Sequence, residues 1–296
     1  MTGHPEMKFW AVLLGVWVLC CPPHASASNS IASRIYNLKT EQNQEIGEVM
    51  QRLAQANVVY LAETHDRPQD HQTQLEILRS LHHRRPLLIG MEMFQRPFQW
   101  ALNQYLAGQM TEAELVRLTE YQRRWGYDWE MYAPILRFAR ENQVPVIALN
   151  TPSEVTRKVA RVGLDQLTLA ERQWIPPKST VLAKPDAYRQ RIRQIYDEIH
   201  QGKGNSASFE RFFQAQVLWD ETMAHQIEIV LQRSPQSLVV VLAGQGHILY
   251  GDGIPDRVQR RTAARIPGLK QATVILNPST DIPSEPGVAD YFWYSP

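Results

Sequence analysis

The sequence predicts an α/β protein in which a mainly parallel central sheet of about five strands is flanked by helices and carries a helical insert. Short apolar runs of strand length recur along the chain, and amphipathic segments of helical period separate them. A connection that is long enough to hold a helix favours parallel pairing of the two strands that it joins. The predicted strands cover residues 58–65, 87–92, 144–149, 237–243 and 272–276.

The helices are predicted from apolar residues that recur at spacings of three and four, as in the segment that precedes the first strand. The predicted helices cover residues 41–56, 69–83, 99–106, 112–118, 129–141, 188–200, 209–232 and 252–264. No convincing strand lies between residues 152 and 236, so this stretch is interpreted as the helical insert. The proline-rich segment 278–286 is predicted to cross the surface, and the aromatic run 291–294 is expected to hold it there.

Composition limits both the size of the protein and its class. The chain has 296 residues, of which 44% are hydrophobic and 21% are charged, as expected of an ordinary globular protein. A single domain over residues 28–296 accommodates this length. The formal net charge is +1 and the basic residues are scattered among acidic ones, so no nucleic acid is expected as a partner.

The N-terminal residues have the pattern of a secretory signal peptide over residues 1–27. Lys8 provides the positive charge, residues 9–19 are apolar, and residues 25–27 form a small-residue cleavage site. The apolar stretch is shorter than the roughly 20 residues that cross a bilayer. We therefore expect an exported protein of the periplasm or the extracellular space, with a retained N-terminal anchor as the alternative.

Both cysteines of the chain, Cys20 and Cys21, lie inside the predicted signal peptide. The mature protein would then have no thiol, which excludes disulfides, thiolate metal sites and cysteine nucleophiles. Attachment to a membrane is expected only if Cys20 or Cys21 is lipidated. The residue before each of them is not small, so the sequence favours a protein without a lipid anchor.

Reactive side chains recur where predicted strands end, and there are four of them: Glu63, His65, Glu92 and His247. Parallel α/β sheets collect their ligands at the carboxyl ends of the strands, so these side chains are expected to share one pocket. Each of them alone is more simply explained as a hydrogen-bonded structural residue. Their recurrence at three strand ends predicts a functional site, and they are the candidate catalytic residues if the protein is an enzyme.

Two carboxylates and two imidazoles form a nitrogen and oxygen site. Such a set suits a divalent metal ion such as Zn²⁺, Mn²⁺ or Fe²⁺, and it suits acid–base chemistry without a metal equally well. Both possibilities stay open, with Glu63, His65, Glu92 and His247 as the candidate metal ligands. Asp66, Asp70 and His71 are candidates for orienting His65 from behind, and Asp66 is also a candidate cap of the following helix.

Residues 125–132 form the densest aromatic cluster in the chain. Aromatic faces suit a tetrapyrrole, a tyrosine can ligate ferric iron, and an arginine can pair with a propionate. The candidate haem contacts are Trp125, Tyr127, Trp129, Tyr132 and Arg124. The alternative is that these rings only pack in the core or at an interface.

Several motifs, in the same order along the chain, carry a resemblance to a known family. They lie at residues 61–66, 90–94, 125–132, 148–150, 219–224, 244–247 and 253–255. Together they resemble the ChaN-like proteins, which are exported bacterial haem-binding lipoproteins linked to iron uptake. This family belongs to a superfamily that also contains Tiki, TraB and erythromycin esterase proteins.

The resemblance implies a mixed α/β fold, a homodimer that holds haem between its subunits, and a tyrosine ligand to iron. The wider superfamily includes metal-dependent peptidases and hydrolases with a similar Glu and His set. The first functional hypothesis is therefore an exported haem-binding protein related to iron or haem uptake. The alternative is a metal-dependent hydrolase or peptidase that uses Glu63, His65, Glu92 and His247.

Overall fold

The computed structural model describes residues 33–183, 185–200 and 208–296. For residues 199 and 200 it describes only the backbone. Within these residues, one sheet contains eight strands. They are β1 (Arg34–Asn37), β2 (Gln42–Gln44), β3 (Val58–Glu63), β4 (Leu87–Gln95), β5 (Val146–Asn150), β6 (Leu238–Gly244), β7 (Gln271–Leu276) and β8 (Tyr291–Tyr294). Their order across the sheet is β2-β1-β8-β7-β3-β6-β4-β5.

The helices lie between and around these strands. They are α1 (Ile46–Ala54), α2 (Pro68–His82), α3 (Gln99–Leu106), α4 (Glu112–Leu118), α5 (Tyr121–Arg124), α6 (Trp129–Glu141), α7 (Ser153–Val162), α8 (Leu169–Arg172), α9 (Asp186–His200), α10 (Phe209–Arg233) and α11 (Ile254–Thr262). The short helix α5 and the helices α7 and α8 were not predicted from the sequence.

The centre of the sheet is parallel and buried on both faces. β3 lies between β6 and β7, and β6 lies between β3 and β4, with all of these pairs parallel. Every residue of β3 and of β6 is buried. Alternate side chains enter two different core clusters, with Val59 and Leu61 on one face and Val58 and Tyr60 on the other. Helices therefore cover both faces, which explains why these strands are almost entirely apolar.

The predicted fold class is confirmed, because the structure is an α/β protein with a mostly parallel sheet. The sheet is wider than predicted, since β1, β2 and β8 were not recognised as strands. The aromatic run 291–294 forms β8, which pairs in parallel with β7 and antiparallel with β1. The predicted helix 41–56 is shorter than expected, because Gln42–Gln44 forms β2 and the helix begins at Ile46.

The predicted insert is helical in the part of residues 152–236 that the structure describes. Its longest helix, α10, contacts α7, α9, α11 and β5. The described residues belong to one compact unit, whereas the predicted signal peptide, with Cys20 and Cys21, lies outside them. None of the described helices combines the length and the apolar character needed to cross a membrane.

Candidate functional site

The ends of three neighbouring strands form the floor of the candidate site. Glu63 is the last residue of β3 and is paired in register with Gly244, the last residue of β6. Glu92 lies on β4, which borders β6 on its other side, and His247 closes the 3₁₀ turn that follows β6. The four side chains that the sequence singled out therefore lie at one edge of the sheet.

Glu63 and His65 form the first charged pair of the site. The strand ends at Glu63, two residues before the predicted end, yet His65 Nδ1 still lies 2.9 Å from Glu63 Oε1. Glu63 also accepts hydrogen bonds from the Tyr132 hydroxyl at 2.7 Å and from Gln74 Nε2 at 2.7 Å. Burial alone would raise the pKa of Glu63, but the hydrogen bonds to His65 and His71 lower it to about 2.

Glu92, His247 and Asp220 form the second charged group. His247 Nε2 lies 3.3 Å from Glu92 Oε1, and its Nδ1 contacts Asp220 Oδ1. Glu92 Oε2 accepts a 2.8 Å hydrogen bond from the backbone N–H of Gly244. Burial lowers the pKa of His247, but the charges of Glu92 and Asp220 outweigh it and raise that pKa to about 10. His247 is therefore a cation at neutral pH.

Asp220 is a site residue that the sequence reasoning missed. It lies on the buried face of α10 with no exposed surface, and its Oδ2 is 3.8 Å from Nη1 of the equally buried Arg257 on α11. Burial raises the pKa of Asp220, while His247 and Arg257 lower it below the usual range. The available signal was that residues 219–220 belong to one of the motifs that carry the resemblance.

Gly244 allows His65 to lie against the end of β6. A Cβ atom at position 244 would be 2.7 Å from His65 Cε1 and 2.9 Å from His65 Nε2. The same Cβ position would be 3.7 Å from Glu92 Oε2, so the imidazole of His65 and the carboxylate of Glu92 both lie next to this glycine. The site therefore needs a residue without a side chain here.

We expect Gly244→Ala to displace the imidazole of His65, because real Cβ atoms do not approach other atoms this closely. The displacement would weaken the contact of His65 with Glu63 and change the chemical shifts of the His65 ring in NMR spectra. Gly246→Ala is the matched control, because a Cβ there would meet no atom within 4 Å. Equal spectra for the two variants would contradict this description of the site.

A pocket of about 280 Å³ opens above the strand ends. Its lining residues are His65, Glu92, Gln95, Arg124, Trp125, Tyr127, Asn150, Thr151, Ser153, Thr156, Trp219 and His247. The ring of His65 lies 4.7 Å from that of Trp125 and 5.0 Å from that of Tyr127, measured between centroids. Three of the predicted haem contacts, Trp125, Tyr127 and Arg124, thus share one pocket with His65, Glu92 and His247.

Two other predicted haem contacts lie in the core. Tyr132 is fully buried and its hydroxyl donates to Glu63; burial and the charge of Glu63 raise its pKa far above the usual range. Trp129 is 7% exposed and its indole N–H donates to Glu112. Both face inward from α6, as core residues of an amphipathic helix do. Their position gives no support to a role in contacting a tetrapyrrole.

Arg124 lines the pocket, but its guanidinium is already paired. It donates to Glu120 at 2.7 Å, to Glu154 at 2.9 Å and to Gln95 at 2.8 Å. Binding a propionate would therefore require Arg124 to exchange one of these partners.

The three residues proposed to orient His65 differ in their positions. His71 Nε2 lies 3.0 Å from the His65 carbonyl oxygen, and His71 Nδ1 lies 3.5 Å from Glu63. Asp70 accepts from the Thr64 backbone N–H at 2.8 Å, so it shapes the turn that carries His65. Asp66 is exposed and does not cap α2, because Arg67 occupies that position. The prediction of an Asp66 cap was wrong.

The tentative metal site receives no support from the geometry. Across the described ranges, no group of three or more His, Cys, Asp or Glu side chains is arranged to hold a metal ion. Both carboxylate oxygens of Glu63 accept hydrogen bonds from protein groups. The proposed ligands are thus engaged with one another and with their neighbours.

Comparison with known proteins agrees with this architecture. Residues 49–258 match the sequence profile of the family described as haem-binding uptake, Tiki superfamily, ChaN. The chain is 31% identical over 288 residues to protein RETICULATA-RELATED 5, chloroplastic, of Arabidopsis thaliana, covering 90% of this chain but only 38% of that protein.

Among solved structures, the chain is similar to one described as cofacial heme binding to ChaN of Campylobacter jejuni. The TM-score is 0.70 at 17% identity, and the alignment covers 88% of this chain and 96% of that one. The likeness shows a shared fold, and the profile match extends over most of the sequence. The chain therefore belongs to the ChaN family of haem-binding uptake proteins in the Tiki superfamily.

Proposed function

We propose that this protein binds haem or a related tetrapyrrole. The observation that carries the proposal is membership of a haem-binding family over residues 49–258. The solved ChaN structure of the same fold, described by its cofacial haem binding, supports it. Export to the periplasm or the extracellular space and a part in iron or haem uptake belong to the same proposal, and the N-terminal sequence supports export.

The residues at the pocket mouth fit the chemistry of a tetrapyrrole. Trp125 and Tyr127 are half-buried, and their rings lie 5.5 Å apart at the rim. Aromatic faces pack against a flat apolar macrocycle, and a phenolate oxygen ligates ferric iron. Tyr127 would hold the iron, and Trp125 would contact the macrocycle. When bound, the iron tetrapyrrole would supply redox chemistry.

The pocket volume constrains how haem would bind. At about 280 Å³, the pocket is near the lower end of the roughly 300 to 1,000 Å³ that ligand pockets usually have. A haem is too large to be enclosed there, so it would lie across the mouth with much of one face uncovered. A second subunit covering that face would remove the apolar surface from water, which supports a homodimer as the binding form.

A second accessible tyrosine lies outside the residues that the sequence singled out. Tyr250 is 43% exposed, whereas the other tyrosines in the described ranges are buried or half-buried. Its backbone is left-handed, with φ of 62°, which is uncommon for a residue other than glycine. Such strain persists where the surrounding structure imposes it and often marks a functional position. Tyr250 does not line the pocket, but its exposed phenol is a second tyrosine that a haem bound outside the pocket could reach, so we test it beside Tyr127.

We expect hemin added to the purified protein to give a shifted Soret band that saturates at micromolar concentrations. Tyr127→Phe should remove the tyrosinate charge-transfer features and weaken binding, because the phenol oxygen is lost while the ring is kept. Tyr250→Phe tests the alternative ligand in the same titration. Tyr294→Phe is the matched control, because Tyr294 is half-buried on β8 and its ring is covered by the guanidinium of Arg34.

Absence of any Soret shift in the wild-type protein would overturn the haem proposal. A spectrum that is unchanged in both Tyr127→Phe and Tyr250→Phe would refute ligation by these two tyrosines while leaving haem binding intact. Sedimentation velocity with and without hemin tests the dimer, which we expect to form when hemin is added.

A metal-dependent hydrolase, the other function that the sequence predicts, has less support. Its proposed ligands do not form a metal-binding group within the described residues. Membership of the ChaN family also favours haem binding.

A further inference from the structure

The charged side chains that line the pocket above the strand ends are already paired within the protein. Its lining residues all lie in the described ranges, and four of them carry charge: Arg124, Glu92, His65 and His247. Each of the four forms an ion pair with another protein group. A charged ligand would lose its hydration here without gaining a free counter-charge. The pocket therefore favours a neutral ligand.

Two buried amides stand side by side on the wall of this pocket. Gln95 ends β4 and Asn150 ends β5, and the two residues are paired in register across these parallel strands. Gln95 is 6% exposed and Asn150 is 5% exposed, and both line the pocket. Adjacent strands lie about 4.8 Å apart, so the two side chains are close enough to bind one small ligand together.

The protein holds one end of each amide and leaves the other end free. Gln95 Oε1 accepts hydrogen bonds from Arg124 Nη1 at 2.8 Å and from the Ser153 backbone N–H at 3.3 Å. Asn150 Nδ2 donates to the Glu92 carbonyl oxygen at 2.8 Å. These partners fix which end of each amide is the oxygen and which is the nitrogen. Gln95 Nε2 is therefore a free donor and Asn150 Oδ1 a free acceptor, since neither atom has a partner among the described residues.

Two more polar atoms of the lining have no hydrogen-bond partner in the part of the chain that the structure describes. They are His65 Nε2 and the Tyr127 hydroxyl, on side chains that are partly exposed. Aromatic rings stand beside both histidines of the pocket, with Trp125 at 4.7 Å from His65 and Trp219 at 5.2 Å from His247 between ring centroids. The pocket thus combines aromatic walls with four unmet donors and acceptors, as small-molecule sites do.

We propose that this pocket binds a neutral monosaccharide. A hydroxyl group both donates and accepts, so two neighbouring hydroxyls of a sugar ring satisfy Gln95 Nε2 and Asn150 Oδ1 together. The C–H face of the ring packs against an indole, which is an apolar surface with a polar tip. The volume of about 280 Å³ admits a single six-membered ring. This binding goes beyond haem binding and does not depend on it.

A small carboxamide is the competing ligand, because its carbonyl and its N–H would also match the two amides of the wall. It has only one acceptor group and one donor group, so it would leave His65 Nε2 and the Tyr127 hydroxyl unmet. A sugar carries hydroxyls around the whole ring and supplies partners on several walls at once. The number and the spread of the free polar atoms therefore favour the sugar.

The test titrates the full chain with the methyl α-glycosides of glucose, galactose and mannose, and with N-methylacetamide as the competing probe. NMR spectra of the nitrogen-bound hydrogens follow the side-chain amides of Gln95 and Asn150 and the indole of Trp219. We expect at least one glycoside to shift these signals in a saturable manner. Signals of Gln122, which is exposed on α5 and does not line the pocket, should stay unchanged.

Two variants remove single contacts. Asn150→Ala and Trp219→Leu should each weaken glycoside binding by about 2- to 10-fold, the usual effect of losing one neutral hydrogen bond or one aromatic contact. Trp219→Leu keeps the test valid if the loss of the bond from Asn150 to Glu92 prevents folding. Gln122→Glu is the control for surface substitutions and should bind like the wild type.

Gln95→Glu separates the two ligand classes. The carboxylate keeps an acceptor for Arg124 and the Ser153 N–H but replaces the free donor with an acceptor. A sugar hydroxyl donates to that oxygen, so glycoside binding should survive, whereas a ligand carbonyl has no proton to donate and should be rejected.

Three results would overturn the proposal. The first is the absence of saturable shifts with all three glycosides. The second is saturable binding of N-methylacetamide alone, which would assign the pocket to amides. The third is unchanged glycoside affinity in folded Asn150→Ala and Trp219→Leu. Neither residue is a proposed haem contact, so hemin titration of the same variants keeps a failure here distinct from a failure of the haem proposal.

Discussion

We expect Glu221→Gln to lower the free energy of unfolding by about 3 to 5 kcal/mol, the usual result of breaking a buried ion pair from one side. Glu221 has no exposed surface and receives the guanidinium groups of Arg260 and Arg261, the latter through Nε at 2.9 Å. It also accepts the backbone N–H of Leu182 at 3.1 Å. The amide keeps the shape but removes the negative charge that faces three cations, Arg260, Arg261 and the fully buried Arg257, whose Nε lies 3.8 Å away. Urea unfolding followed by circular dichroism measures the change.

Glu210→Gln is the matched control for this prediction. Glu210 lies on the same helix, α10, and pairs with Arg189, but its side chain is 59% exposed. Exposed pairs typically contribute about 0 to 1 kcal/mol. Similar losses in the two variants would contradict the view that the cluster around Glu221 joins α10 to α11.

We expect stability to fall as the pH rises from neutrality through about 10, and His247 to be the main cause. The folded-state pKa of His247 is raised to about 10, while an unperturbed histidine has about 6.5. A raised pKa contributes stability that is fully present below the unfolded pKa and is lost as the pH passes through the folded pKa. The shift corresponds to at most about 5 kcal/mol. Urea unfolding at several alkaline pH values measures this slope.

Asp220→Asn should flatten this alkaline dependence. The substitution removes one of the two charges that raise the pKa of His247, so less stability remains to be lost above neutrality. His83→Gln should leave the dependence unchanged, because His83 is exposed at the end of α2. If the free energy of unfolding falls equally steeply with alkaline pH in the wild type and in Asp220→Asn, this would argue against the Asp220–His247 pair.

Much of the fold could be predicted because local signals agreed with the tertiary structure. The helices at residues 99–106, 112–118 and 129–141 have the predicted bounds, and side-chain caps at Thr111 and Asp128 define two of their starts. The strands β1, β2 and β8 were missed, because they have three or four residues and depend on pairing with one another and with β7. So short a run carries little periodicity of its own.

The convergence of Glu63, His65, Glu92 and His247 could be predicted because parallel strands end at one edge. Their catalytic and ligand roles stay predictions. Asp220 could not be found in this way, because it reaches the site from a helix, and sequence does not show which helix face covers that edge.

Tyr132 and Trp129 were grouped with Trp125 by proximity in sequence. Helix α6 begins at Trp129, however, and turns both side chains into the core.

Buried carboxylates hold the strand-end imidazoles in one charged cluster, and an NMR titration of the histidine rings is the most direct test of this arrangement. We expect His247 to stay protonated well above neutrality and to titrate with a pKa of about 10, and we expect Asp220→Asn to lower this pKa. A His247 ring that titrates near the ordinary value of about 6.5 in the wild-type protein would contradict the account.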